Sequence, residues 1–259
     1  MMQLLIKKGA DVNHISSWEN PLLINAIMYE QYAAAKILIN AGADVNVRGY
    51  SRVIYDISIK WDWTPLMCAA RKGNMELVRL LLEKGARADE KGWSSSSDHL
   101  ETAADIAAYS GNLKVLKFLM KKKVPVKNET IYACARGGHL DTLKYLRRKK
   151  KWDINRLSSF NGRTLLMEAS RWGHLDVVRY LLKKKAKVNI RGRYGFTALS
   201  EVVSTVEENF PDQLRIVELL IKKGADVNLA SQYQLTPLMR AKKANKRDII
   251  KILLENGAK

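Results

Sequence analysis

Apolar residues recur along the chain at helical spacing, in segments separated by polar loops. In residues 75–85 the apolar positions 77, 78, 80, 81 and 82 form a stripe on one side of a helix, and the segment ends at Gly85, which suits a left-handed C-cap. The preceding segment, 64–73, opens with Thr before Pro, has small residues at its centre and ends at Gly73. The pattern predicts a short helix, a tight turn, a longer helix and a loop.

This two-helix pattern is repeated. The phrase G-A-D-V-N begins at Gly9, Gly42 and Gly224, and degraded copies lie between and after these positions. Aligned by their first residue, the copies follow one another at intervals of 33, 43, 38, 27, 35, 39 and 33 residues, so the base period is 33. The first residues of the copies are Gly9, Gly42, Gly85, Lys123, Lys150, Lys185, Gly224 and Gly257.

The repeated unit resembles the ankyrin repeat family, whose pattern T-P-L-x-x-A-A-x-x-G-H/N, followed by V-x-x-L-L-x-x-G-A-D-V-N, recurs over essentially the whole chain. The resemblance implies an all-α fold: a solenoid of stacked helix-turn-helix units with β-hairpin or loop fingers, in a single elongated domain. The predicted units are a half repeat at 1–13 and repeats at about 14–46, 47–88, 89–126, 127–155, 156–189, 190–228 and 229–259.

Several segments depart from the regular pattern. Residues 47–62 predict a longer hairpin, 93–99 lengthen the next finger, and 204–211 form an insertion between two helices of one repeat. Residues 124–128 are too few for a finger, so one finger is expected to be missing there. Lysine replaces the loop glycine at 123, 150 and 185, and these central repeats are therefore expected to be less regular than their neighbours.

Composition narrows the class of protein. No apolar run approaches the roughly 20 residues needed to cross a bilayer, and the first residues read as a repeat helix and not as a signal sequence. Cys68 and Cys134 fall in helices of different repeats, too far apart to meet the geometry of a disulfide. We therefore predict buried free thiols and a monomeric, cytoplasmic protein.

The net charge of +19 is concentrated in the middle of the chain. Residues 112–193 hold 23 Lys or Arg against 5 Asp or Glu, a net of +18, while the remaining residues hold 22 against 21. Many of these cations end the second helix of a repeat, where they complement the helix dipole. Alternatively, the positive field attracts an acidic protein segment, a nucleic acid or an anionic membrane surface. The sequence leaves both interpretations open.

The family resemblance implies where a partner would bind. In this family the fingers and the two variable positions after the Ala pair line the concave face, and in this chain those positions are rich in Arg and aromatic residues, which dominate interface energetics. For Trp172 the alternative is that it only covers a neighbouring helix. The candidate partner-binding residues are Arg71, Lys72, Tyr109, Arg136, Arg171, Trp172, Phe160, Arg163, Arg191, Arg193 and Tyr194.

No motif for catalysis, metal binding or cofactor binding emerges from the sequence. His139 and His174 match the G-H step of the repeat and are expected to make structural hydrogen bonds. We therefore predict a non-enzymatic protein-interaction scaffold that binds an acidic or phosphorylated partner. Two alternatives remain: binding of nucleic acid or oligonucleotides through the same basic patch, and service as the targeting module of a larger enzyme.

Overall fold

The computed structural model describes residues 1–15, 20–50, 61–94, 101–149, 152–204 and 212–259. Within them the helices confirm the predicted all-α fold, because a single helix is followed by pairs of a first and a second helix. The helices are α1 (Met2–Lys7), α2 (Leu22–Met28) with α3 (Tyr32–Asn40), α4 (Pro65–Lys72) with α5 (Met75–Glu83), α6 (Ala103–Tyr109) with α7 (Leu113–Lys121), α8 (Glu129–Gly137) with α9 (Leu140–Lys149), α10 (Leu165–Arg171) with α11 (Leu175–Lys183), α12 (Ala198–Val203) with α13 (Gln213–Lys222), and α14 (Pro237–Lys243) with α15 (Arg247–Glu255).

The first helix of most repeats begins at a threonine. The threonine hydroxyl accepts a hydrogen bond from the amide three residues later, which satisfies one of the free amides at the helix start. Helix α8 differs, since it begins after Asn128, whose side chain makes no capping bond. The capping residues are Thr64, Thr102, Thr164, Thr197 and Thr236.

The chain divides into two compact units, Met1–Val126 and Lys127–Lys259. In unit 1 the first helices α2, α4 and α6 pack side by side, as do the second helices α3, α5 and α7. In unit 2 the first helices α8, α10, α12 and α14 form one layer, and the second helices α9, α11, α13 and α15 form the other. The boundary falls between Val126 and Lys127, within the short segment 124–128 where a finger is expected to be missing. That residues 1–259 form a single domain stays a prediction.

Small residues let the first helices of unit 1 approach closely. Ala69 and Ala70 in α4, and Ala107 and Ala108 in α6, are completely buried. Cys68 is also buried and unbridged, and burial raises the pKa of its thiol to about 12. Cys134 in unit 2 is likewise buried and forms no disulfide, so both predictions of buried, unbridged thiols are confirmed.

Fingers join the helix pairs. In unit 1 the strands β1 (Gly49–Tyr50), β2 (Trp61–Trp63) and β3 (Trp93–Ser94) form one antiparallel sheet in that order. The two ends of the predicted hairpin 47–62 therefore pair, while its centre, 51–60, lies outside the described residues. Residues 95–99 of the next finger and 205–211 of the predicted insertion also lie outside the described residues.

The last residue of the G-A-D-V-N phrase links successive loops. Asn13 Oδ1 accepts a hydrogen bond from the amide of Asp44 at 2.8 Å, and Asn189 Oδ1 accepts one from the amide of Asp226 at 2.9 Å. Each phrase also closes its own turn, since Asp44 Oδ1 accepts from the amide of Asn46 at 2.8 Å. The repeated phrase is thus a set of hydrogen bonds between neighbouring loops, and the expected turn-forming role of its Asp is confirmed at Asp44 and Asp226.

No helix in the described parts of the chain is long and apolar enough to cross a membrane.

Candidate functional site

Three of the candidate partner-binding residues lie in unit 1. Lys72 Nζ is 2.8 Å from Glu30 Oε1, so its charge is paired on the surface. The guanidinium of Arg71 lies 5.3 Å from the ring centroid of Trp63, within the range of a cation–π contact. Tyr109 is half-buried at the end of α6. The other eight candidates lie in unit 2.

Two of the unit 2 arginines bind one buried carboxylate. Glu201, in α12, has a side chain that is only 2% exposed. Its Oε1 accepts a hydrogen bond from Arg163 Nε at 2.8 Å, and its Oε2 accepts one from Arg171 Nη1 at 3.0 Å. Both oxygens of Glu201 are therefore occupied, and the two guanidinium groups are fixed in place.

A second carboxylate, Glu168 in α10, is buried beside the first. Asn161 Nδ2 donates to Glu168 Oε1 at 2.6 Å, and Arg163 Nη1 lies 3.9 Å from the same oxygen. Burial raises the pKa of Glu168, against the opposing charges of Arg163 and Arg136. Arg136, from α8, is itself buried. The predicted basic surface thus has acidic groups directly beneath it.

Neither glutamate was predicted as part of a site, although the sequence holds a signal for both. Each lies four residues after a capping threonine, a position that unit 1 fills with the apolar residues Cys68 and Ile106. The same position in the last repeat is Arg240. Charged residues at a core position of successive repeats indicate that these helices meet through ion pairs.

Aromatic side chains continue this cluster toward the end of unit 2. The guanidinium of Arg240 lies 4.0 Å from the ring centroid of Phe196. Burial lowers the pKa of Arg240, while the charge of Glu201 raises it. The rings of Tyr194 and Tyr233 have centroids 5.8 Å apart, and these side chains are 46% and 57% exposed. Two neighbouring tyrosines are therefore exposed to solvent side by side.

Main-chain hydrogen bonds hold the fingers of unit 2 together. The amide of Arg193 donates to Gly162 O at 3.0 Å, and the amide of Gln232 donates to Tyr194 O at 2.9 Å. Arg191 Nη2 donates to Ala230 O at 2.8 Å, while the Arg193 side chain remains exposed. We call the resulting patch the finger surface and define it by Arg171, Arg193, Tyr194, Tyr233 and Arg240.

Two candidate partner-binding residues remain, Trp172 and Phe160. Trp172 is the C-cap residue of α10, half-buried, and directly follows Arg171. Phe160 is half-buried in the finger that carries Arg163.

His174 Nε2 donates to Arg136 O at 2.7 Å, and burial lowers the pKa of this imidazole, so the expected structural role of His174 is confirmed.

Comparisons with known proteins agree with the repeat architecture. The family model described as ankyrin repeats (3 copies) matches residues 51–130, 106–192, 130–229 and 193–259. Similar proteins include the Schizosaccharomyces pombe glycerophosphocholine phosphodiesterase gde1, 27% identical over 63% of this chain, and the Caenorhabditis elegans ankyrin repeat and KH domain-containing protein mask-1, 30% identical over 54%. The ankyrin repeat, SAM and basic leucine zipper domain-containing protein 1 of Notamacropus eugenii is 34% identical over 31%. The chain spans only 14%, 6% and 14% of the length of these three relatives.

Proposed function

Since the chain belongs to the ankyrin repeat family, we propose that it is a non-enzymatic protein-interaction scaffold whose finger surface binds an acidic or phosphorylated segment of a partner protein. The site is proposed in unit 2, with Arg171, Arg193 and Tyr194 at its centre. The proposal includes a monomeric protein in the cytoplasm, where the two buried thiols would stay reduced.

The observation that carries this proposal is the exposed pair Tyr194 and Tyr233 beside the exposed Arg193. Binding energy at protein interfaces concentrates in Tyr, Trp and Arg. Arg171 adds a guanidinium that Glu201 holds in place while 38% of its side chain stays exposed. A fixed donor loses less conformational entropy when it binds a carboxylate or phosphate.

The buried glutamates favour a protein partner over a nucleic acid at this surface. Glu168 and Glu201 lie among Arg136, Arg163 and Arg171 and offset part of their charge. Binding of nucleic acid depends on the number of phosphates that a surface neutralises. A short acidic segment needs only a few cations and gains contact area from the aromatic rings.

An array of acidic peptides, each in phosphorylated and unphosphorylated form, would identify ligands for calorimetry. The test variant combines Arg193→Ala, Tyr194→Asn and Tyr233→Ala. Asn suits position 194 because its φ of 62° is left-handed. We expect affinity to fall at least about tenfold, the scale of one hot-spot side chain. The control is Arg215→Ala, an arginine 69% exposed on α13. Equal affinities for both variants would refute the site.

Targeting of a larger enzyme is a second candidate function. It is favoured by the similarity to the glycerophosphocholine phosphodiesterase gde1, of which this chain spans 14%. In that case the finger surface would bind a partner or a neighbouring domain of the enzyme. Sequencing of the full transcript tests this candidate, because a reading frame without a catalytic domain beyond these residues rules it out.

A further inference from the structure

The second helices of unit 2 carry a separate concentration of positive charge. Residues 140–149 and 175–187, which comprise α9 and α11 with the turn after α11, hold nine Lys or Arg against two Asp, a net of +7. Helices α9 and α11 pack side by side, and Lys144 of α9 lies over the ring of Tyr180 in α11, so the two groups of cations are neighbours. We call it the outer basic surface; its cations are Lys144, Arg147, Arg148, Lys149, Arg179, Lys183, Lys184, Lys185 and Lys187.

In contrast to the finger surface, the outer basic surface has almost no acidic counterpart. Of its nine cations, only Lys144 lies within ion-pair distance of a carboxylate in the described part of the chain, with Nζ 3.6 Å from Asp141 Oδ1. Arg148 and Lys149 are exposed, as are Lys183, Lys184 and Lys185. The positive charge on α9 and α11 is therefore offset by fewer acids than that of the finger surface.

Complementing the helix dipoles does not account for this charge. A helix carries only about half a unit of negative charge at its C-terminus, so one or two cations are enough to complement it. The other two second helices of unit 2 have the same dipoles, yet residues 213–225 and 247–259 hold six Lys or Arg against three acids. The excess on α9 and α11 therefore remains available to attract an external anion.

We propose that the outer basic surface binds the phosphate backbone of duplex nucleic acid, independently of base sequence. Two observations favour a duplex over a single strand. The Nζ atoms of Lys144 and Lys184 both lie 6.0 Å from the ring centroid of Tyr180. The Nζ atom of Lys149 lies 5.9 Å from the ring centroid of Tyr145. Lysines thus cover the tyrosine rings, on which the bases of a single strand would otherwise stack.

The same surface is poorly suited to a membrane. None of the exposed large hydrophobic residues in the described part of the chain lies on α9 or α11. Peripheral membrane binding gains its strength from buried apolar area together with electrostatic attraction, and here only the charges are present. Duplex nucleic acid needs no apolar contact, because neutralising its phosphates releases bound counterions.

The test compares two variants that lose the same number of charges. The outer variant combines Arg148→Gln, Lys149→Gln, Lys183→Gln and Lys184→Gln, all at exposed positions of the outer basic surface. The control variant combines Arg215→Gln, Lys222→Gln, Lys223→Gln and Lys251→Gln, exposed positions on or next to α13 and α15. Binding of a fluorescein-labelled duplex RNA and a duplex DNA of equal length is measured by anisotropy over a salt series.

We expect the wild-type chain and the control variant to bind both duplexes, with log affinity falling linearly against log salt. The outer variant should lose about tenfold or more in affinity at low salt, and its slope should be shallower by roughly 0.9 for each phosphate contact removed. Equal losses in the two variants would overturn the proposal. So would tighter binding of a single strand, or binding of phosphatidylserine vesicles or of polyglutamate without binding of the duplex.

The finger surface and the outer basic surface share no residue, so the variants test them separately. The finger-surface variant should bind the duplex as the wild-type chain does, because Arg193, Tyr194 and Tyr233 lie outside the outer basic surface. The outer variant should keep its affinity for the acidic peptide. Loss of both activities in either variant would contradict the assignment of two separate surfaces.

Discussion

Lys123 and Lys185 adopt a left-handed backbone conformation after α7 and α11, with φ values of 61° and 65°. Five other repeats place glycine in this position, with φ values between 82° and 91°. A side chain with a Cβ atom is strained there, whereas glycine is not. The chain therefore holds two central turns under local strain. At Lys123 and Lys185 the backbone keeps the left-handed turn of the other repeats, and that these central repeats are less regular stays a prediction. Lys150 lies outside the described residues.

Replacing either lysine by glycine should stabilise the protein. For Lys123→Gly and Lys185→Gly we expect an increase in the free energy of unfolding of about 0.5 to 1 kcal/mol, since the relief of strain exceeds the added freedom of the unfolded chain. Urea denaturation followed by circular dichroism measures the change. Lys184→Gly is the matched control, because φ is −88° there and glycine should destabilise. If Lys184→Gly changes the free energy of unfolding in the same direction as Lys123→Gly and Lys185→Gly, strain at positions 123 and 185 is not the cause.

The G-H/N step of the repeat has a residue-level explanation. Gly73 and Gly138 end α4 and α8 with φ values of 70° and 75°, and a Cβ atom there would come within 2.5 Å of Asn112 and His174, respectively. Asn112 Nδ2 donates to Ala70 O at 2.8 Å, much as His174 donates to the end of α8. The residue that starts each of these second helices thus caps the first helix of the preceding repeat, α4 for Asn112 and α8 for His174.

Among the elements, α10 and α12 depend most on buried charge. Glu201→Gln keeps the size of the side chain but replaces one carboxylate oxygen by an NH2 group. This hydrogen-bond donor then faces the donor groups of Arg163 or Arg171. Arg163 is 19% exposed and Arg171 38%, so water compensates part of the loss. We expect a destabilisation of about 1 to 2 kcal/mol, below the full cost of breaking a buried pair. Urea denaturation tests this, and an unchanged midpoint would mean that the ion pairs contribute nothing.

Glu168→Gln is the comparison, and its effect should depend on pH. Burial raises the pKa of Glu168 above its value in the unfolded chain, so the folded state binds the proton more tightly. As pH rises from the unfolded to the folded pKa value of Glu168, the free energy of unfolding therefore falls. It stays lower at higher pH, where Glu168 is charged in both states. The neutral Gln should remove that fall and leave the protein at least as stable as the wild type at neutral pH. A larger loss for Glu168→Gln than for Glu201→Gln would contradict this order.

Local patterns predicted the elements well and the contacts between them poorly. Capping and backbone preferences, which short stretches of sequence encode, explain the helix starts at Thr64 and Thr164 and the helix end at Gly73. The partners of Arg163 and Arg171 could not be identified in this way. Their carboxylate, Glu201, lies 38 and 30 residues away, and it reaches them only because α12 packs against α10 in a particular register.

For the whole molecule, the sequence located the charge along the chain but not on the surface. The excess within residues 112–193 was evident, and the family resemblance directed attention to the fingers. In unit 2 Arg163 and Arg171 lie beside the buried Glu168 and Glu201, whereas the cations of α9 and α11 have few acids nearby. A count of charges cannot separate these surfaces, because residues 160–171 and 140–149 are close in sequence and lie in different layers.

The concentration of charge should itself affect stability. Several full charges lie close together on α9 and α11, and each like-charged pair one turn apart costs a few tenths of a kcal/mol. This repulsion should outweigh attraction to the half charge at each helix end. We therefore expect the outer variant to melt at a higher temperature than the control variant at low salt. At about 1 M salt, where the Debye length is about 3 Å, the difference should vanish. If the outer variant instead melts lower, the cations mainly complement the helix dipoles, and their excess needs no partner to explain it.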